Sequence, residues 1–159
     1  VVLAGGDGPS VFAVVGLGEE FFKLGAVYLA VSRSEHFSEP MDGIIYSIAT
    51  AIGFSVVENI LYISAFGLTV APLRGTIATL AHIAFSGLAG YYLGKARFSA
   101  RPVVQLALGL AVGALAHGLY DFLLITHLVS PFFLIVLVLG LQYVLFMGIQ
   151  EAVKSHQGR

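Results

Sequence analysis

Five apolar stretches of near membrane-spanning length, separated by short polar breaks, leave this chain few folds to adopt. They run over residues 11–31, 43–66, 76–94, 103–126 and 131–151, and crossing the hydrocarbon core takes about 20 helical residues. In lipid every backbone N–H and C=O must be paired within its own segment, so segments this long are helices. The expected fold class is all-α: a polytopic transmembrane bundle of about five helices, forming one integral-membrane domain over residues 1–159. Only 11% of the residues are charged, whereas soluble domains carry roughly 25%. The 19 glycines suit close helix packing in a bilayer. A formal net charge of −1 offers no basic field for nucleic acid. The absence of cysteine excludes disulfides, thiolate catalysis and cysteine metal sites.

Pro40, Pro72, Pro102 and Pro131 fall at or beside the breaks, where a missing N–H costs least. Loop charge orients the bundle. Arg33, Lys95, Arg97, Arg101, Lys154 and Arg159 lie on one side, and Arg74 alone lies on the other. The positive-inside rule then places the C-terminus and loops 32–42 and 95–102 in the cytoplasm, with Val1 outside. The expected location is the cell membrane, as a multi-pass protein in contact with the bilayer. A first residue of Val rather than Met suggests that helices upstream are missing. No signal-peptide pattern precedes Ser10.

Within the apolar stretches stand residues that hydrocarbon rejects: Glu19, Glu20, Glu58, His82, His117 and Asp121. Ionisable groups inside membrane helices are rare and by default mark a functional site. Counted from the outer end of each span, all lie roughly 8–14 Å deep, at about 1.5 Å per residue. Four antiparallel helices thus bring acids and imidazoles to one layer. Glu19 and Lys23 are spaced i, i+4, the better orientation for a helical ion pair, which leaves Glu20 pointing elsewhere. Phe54 and Glu58 share a face, with Asn59 adjacent. His117 and Asp121 are also i, i+4, so the carboxylate is placed to fix the imidazole's orientation. Gly87, Gly90, Gly94, Gly109 and Gly113 allow close helix approach nearby. Ser86, four residues from His82 on the same helix, reads as packing. His36, His127 and His156 read as solvated loop or tail residues, and Glu35, Glu39 and Asp42 lie far from the polar layer.

These residues resemble, in order, the motifs of the PrsW family of polytopic membrane proteases. That family falls within the wider superfamily of CAAX-prenyl endopeptidases and bacterial CPBP proteins. The resemblance rests on Glu19-Glu20-x-x-Lys23, Glu39-Pro40-Met41-Asp42-Gly43, Gly53-Phe54 through Glu58-Asn59, His82 with Ser86-Gly87 and Gly90, and His117-Gly118-Leu119-Tyr120-Asp121-Phe122. It spans about residues 16–125. It implies a glutamic-type intramembrane endopeptidase in which a carboxylate-activated water attacks a peptide carbonyl. The implied substrate is a membrane-anchored protein such as an anti-sigma factor, cut near its extracytoplasmic side. Two positions depart from the wider superfamily: Glu58 stands where a histidine is usual, and Asp121 where asparagine often is.

On this reading Glu19 or Glu20 is the general base, and His82 and His117 position the water or donate to the developing oxyanion. Asp121 orients His117, Lys23 neutralises one glutamate, and Glu58 and Asn59 complete the polar wall or protonate the leaving amine. No metal or other cofactor is expected. A zinc-dependent intramembrane metalloprotease is the nearest rival, because two histidines and several carboxylates offer three ligands and an open position. No H-E-x-x-H pattern is present. Two further readings stay open: a proton- or cation-coupled transporter, and a non-catalytic membrane scaffold.

Overall fold

The computed structural model describes residues 8–157, which form five long helices and no strand. Helix α1 covers Gly8–Val31, α2 covers Pro40–Phe66, and α3 is the single turn Ala71–Leu73. Helices α4, α5 and α6 cover Thr79–Arg97, Pro102–Thr126 and Pro131–Gln157. Val1 and Arg159, which entered the orientation reading, lie outside the described residues, as do the side chains of Arg74 and His156.

Helices α2, α5 and α6 each open on a proline, whose missing N–H is free of cost in the first turn. At the start of α2 the Asp42 carboxylate accepts the N–H groups of Ser38 and Glu39 at 2.8 and 2.9 Å. Helix α5 ends at His127, which takes the left-handed conformation at φ 52°. The break expected at residues 67–75 is not an open loop. Gly67 turns the chain at φ 85° while its N–H bonds Ile63 O at 2.8 Å. A 3-10 turn at Leu68–Val70, then α3, then a π-helical turn at Arg74–Ala78 lead directly into α4. Pro72 therefore sits inside a helical turn, not between elements. Helix α6 also continues past the expected end at residue 151, to Gln157.

Among the described residues four segments are long and apolar enough to cross a membrane: Pro40–Phe66, Gly75–Arg97, Pro102–Thr126 and Pro131–Ser155. Helix α1 has 24 residues but carries Glu19, Glu20 and Lys23. Its Val14, Leu17, Phe22 and Leu29 are exposed, as are Val57 and Leu61 on α2 and Leu139 and Phe146 on α6. An outward apolar surface around a polar interior is the arrangement that lipid requires. The chain is a polytopic helical membrane protein.

Helix α4 is central, packed on α2, α5 and α6, while α1 lies chiefly on α5. The α2–α4 contact is made backbone to backbone. A Cβ at Gly43 would fall 2.5 Å from both Gly90 O and Gly94 N, and one at Gly90 would fall 2.5 Å from Gly43 O. Helix α1 approaches α5 as closely, since a Cβ at Gly16 would meet Gly118 N at 2.8 Å. Without side chains between them, these backbones come near enough for short polar side chains to meet across helices. Below that level Leu24, Val27, Phe37, Ala89 and Leu93 form an apolar core. Arg97 closes it by donating from Nε to Phe37 O at 3.0 Å and from its guanidinium to Ser32 O.

Candidate active site

Glu20 lies at the centre of the polar cluster. It is wholly buried and accepts from three elements: Lys23 Nζ at 2.8 Å on its own helix, Ser86 Oγ at 2.8 Å on α4, and His117 Nδ1 at 3.1 Å on α5. A buried carboxylate is tolerated when its lone pairs are filled this way. Gly113 lets α5 come close to α4 beside this carboxylate, for a Cβ there would stand 3.2 Å from both Ala89 Cβ and Phe85 O. The Lys23 ammonium also reaches His82 Nδ1 at 3.1 Å and lies 4.1 Å from the centre of the Phe54 ring. An ammonium only donates, so His82 Nδ1 accepts and the proton sits on Nε2. From there it is donated to Glu58 Oε2 at 2.8 Å. Phe85 stacks on the His117 ring at 5.0 Å, and the His82 and His117 rings stand perpendicular at 4.9 Å.

Glu19 is placed differently. Its Oε2 is buried but accepts no hydrogen bond among the described residues, although Lys23 Nζ at 3.5 Å and His117 Nε2 at 3.6 Å lie close. Asp121 Oδ2 lies 3.4 Å from the same His117 nitrogen. The side chains of Glu19, Glu58 and Asp121 are 24%, 19% and 22% exposed, whereas Glu20, Lys23 and His117 are closed off. The cluster thus has a buried floor on α1, α4 and α5 and an accessible rim of three carboxylates on α1, α2 and α5.

The residues singled out in the sequence are mostly brought together, with three differences of detail. Lys23 makes the expected i, i+4 pair with Glu19, at 3.5 Å, but its closer partner is Glu20 at i, i+3, 2.8 Å away. The buried position of Glu20 draws the ammonium inward, while Glu19 turns towards the rim. Asn59 does not join the cluster; its amide donates to Thr79 Oγ1 at 3.2 Å and Ser55 Oγ at 3.4 Å, a separate network between α2 and α4. Ser86, read as packing, is a direct ligand of Glu20. Its i, i+4 spacing from His82 placed both on one face of α4, and that was the available signal. Glu39 begins α2 at the far end of the helix from Glu58, away from the cluster.

Four carboxyl groups face one ammonium here, so any excess negative charge would be offset by protons on the imidazoles or the carboxyl groups, or by a cation. Glu19, His82 and His117 each present a ligand atom, all within 4.8 Å of one another. Tetrahedral zinc, with ligands at about 2.0–2.1 Å, sets ligand atoms about 3.4 Å apart. The His117 Nε2 separations from Glu19 and Asp121, 3.6 and 3.4 Å, are of that size. The unpartnered Glu19 Oε2 fits a ligand role, and Glu20 behind His117 Nδ1 fits the carboxylate that orients a metal-bound histidine. His82 would have to release Glu58 to take part. The donor set fits a divalent cation.

Fold and site together define a polytopic membrane protein with an acid–histidine–lysine cluster buried between helices. The chain belongs to the PrsW family: the family model described as "PrsW family intramembrane metalloprotease" matches residues 3–149. It is similar to the protein named Protease PrsW of Bacillus subtilis (strain 168), 40% identical over 115 residues, or 71% of this chain and 53% of that protein. The Geobacillus kaustophilus protein of the same name is 38% identical over 115 residues, covering 72% of this chain and 51% of its own. That of Halalkalibacterium halodurans is 33% identical over 147 residues, covering 92% and 67%. The chain spans about half the length of the first two relatives. No solved structure matches it.

Proposed function

We propose that this chain carries the catalytic site of an intramembrane endopeptidase that cuts a membrane-anchored protein with a water activated by Glu19. One observation carries the reading: Glu19 Oε2 is turned into the cluster without a hydrogen-bond donor, 3.6 Å from His117 Nε2. A carboxylate oxygen that accepts no hydrogen bond, with the Lys23 ammonium at 3.5 Å and an imidazole beside it, is placed to take a proton from water. Glu20, wholly buried and held by three donors, serves to hold Lys23, Ser86 and His117. Water enters over the rim, gives a proton to Glu19, and its oxygen attacks the peptide carbonyl carbon. His117, carrying a proton on each nitrogen, gives Nδ1–H to Glu20 and donates from Nε2–H to the charge gathering on the carbonyl oxygen. As the C–N bond breaks, the proton on Glu19 passes to the leaving nitrogen.

The glutamic-type chemistry, the extracytoplasmic position of the site and an anti-sigma-factor-like substrate belong to the same proposal. Supporting them are the ordered motifs and the loop-charge asymmetry. A second reading is favoured by the ligand group of Glu19, His82 and His117. Those residues would hold a zinc ion, which when bound would supply Lewis-acid polarisation of the scissile carbonyl and a more acidic water. Co-expression with single-span membrane proteins tests the proposal, comparing wild type with Glu19→Gln, Glu20→Gln, His82→Ala and His117→Ala. Processing lost in the Glu19 and His117 variants supports it, and processing retained in all four rejects it. Elemental analysis of the purified protein, with cleavage measured before and after chelation, separates the two readings. Cleavage that survives with no bound metal supports the first, and abolition restored by zinc supports the second.

A further inference from the structure

We propose that the cleft at the end of the bundle remote from the acid–histidine cluster binds one anionic phospholipid. Its phosphate would sit between Arg33 and Arg97, with an acyl chain along Val103 and Leu106. The cleft has a volume of about 380 Å³ and lies between the end of α1, the 32–39 turn, the end of α4 and the start of α5. Its lining residues stand about 14–23 Å along the helices from Glu19, His82 and His117, at about 1.5 Å per residue, and none belongs to that site.

Three features select the ligand. First, the cleft straddles the ends of two spans, Gly75–Arg97 and Pro102–Thr126, which is the depth of a lipid headgroup. Second, its lining is divided, with arginines and Ser99 on one side and Leu93, Val103 and Leu106 on the other. A soluble anion has no use for the apolar wall, and a hydrocarbon ligand has none for the arginines. Third, no acidic residue lines it. A zwitterionic lipid brings a cationic ammonium that meets no carboxylate among the lining residues, so a lipid of net negative charge is preferred. Arg97 is also pre-set. Two of its N–H groups are committed to Phe37 O and Ser32 O, which fixes the guanidinium plane and leaves the remaining donors for a phosphate. Arg33 is exposed and free of the packing that holds Arg97.

The test uses the protein purified in detergent, titrated with palmitoyl-oleoyl phosphatidylglycerol or phosphatidylcholine and read by native mass spectrometry as the one-lipid complex. Phosphatidylglycerol is expected to bind about tenfold tighter than phosphatidylcholine. Arg33→Gln should weaken it about fivefold and Arg33→Lys hardly at all, in line with about 1 kcal/mol per basic residue at a lipid surface. Leu106→Gln should also weaken it, and millimolar inorganic phosphate should not displace it. Equal binding of the two lipids, or unchanged binding by Arg33→Gln, overturns the proposal. Full displacement by inorganic phosphate overturns it too, because the site would then hold a soluble anion. Arg33 is an exposed residue, so its variants fold, and their unfolding midpoints provide the control.

Discussion

Replacing Glu20 by glutamine separates the two members of the acid pair. Glu20 is buried together with Lys23, and its two oxygens take three donors at 2.8, 2.8 and 3.1 Å. A carboxamide that keeps its oxygen towards Lys23 and His117 presents its NH₂ to Ser86, whose hydroxyl can rotate to accept. The hydrogen bonds are largely kept, so the loss is one of charge. The Lys23 ammonium would then have only Glu19, at 3.5 Å, to offset it. Removing one partner of a buried ion pair costs about 3–5 kcal/mol. The retained oxygen and the nearby Glu19 place this case at the lower end, about 3 kcal/mol. Glu19→Gln should cost about 1 kcal/mol or less, since its buried oxygen accepts no hydrogen bond and its carboxyl lies on the rim. Thermal unfolding of the detergent-purified variants reads the difference. The Glu20 variant's midpoint should fall by about 6–12 °C and the Glu19 variant's by a few degrees at most. Adding Lys23→Met to Glu20→Gln should recover part of the loss, because the stranded charge is gone. Equal shifts for the two glutamates, or a larger one for Glu19, would refute the division of roles.

Gly43→Ala should destabilise by about 1–3 kcal/mol, because its Cβ would meet backbone atoms of Gly90 and Gly94 that cannot step aside. Gly53→Ala, with nothing within 4 Å, should be neutral or stabilising by about 0.5–1 kcal/mol, and paired unfolding curves check both. Asn59→Ala removes bonds to Ser55 and Thr79 only, so cleavage should stay within a few-fold of wild type while stability falls by about 1 kcal/mol. Ser86→Ala should lower the turnover rate more than substrate affinity, since it loosens Glu20 and through it His117 without touching substrate.

The helices were legible because lipid imposes one solution on long apolar stretches, and prolines mark where three of them begin. The helical path through residues 67–78 was not, since Gly67, Pro72 and Gly75 are all breaker residues by local preference. Gly67 does end α2, at φ 85°, whereas Pro72 falls in the single turn α3, where a missing N–H costs little. That Glu19, Glu20, His82, His117 and Asp121 converge could be read from their shared depth. Which glutamate takes Lys23 could not, for i, i+3 and i, i+4 are equally close on a helix. Burial decides it. Asn59 is next to Glu58 in sequence, yet about 100° round the helix it meets Thr79 and Ser55 instead of the imidazoles.

The direct test of the central claim is cleavage of a single-span membrane substrate by purified protein in proteoliposomes, comparing wild type with folded Glu19→Gln. Loss of a general base predicts a rate at least about 100-fold lower, with an unfolding midpoint close to that of wild type. A Glu19→Gln rate within a few-fold of wild type would contradict the account.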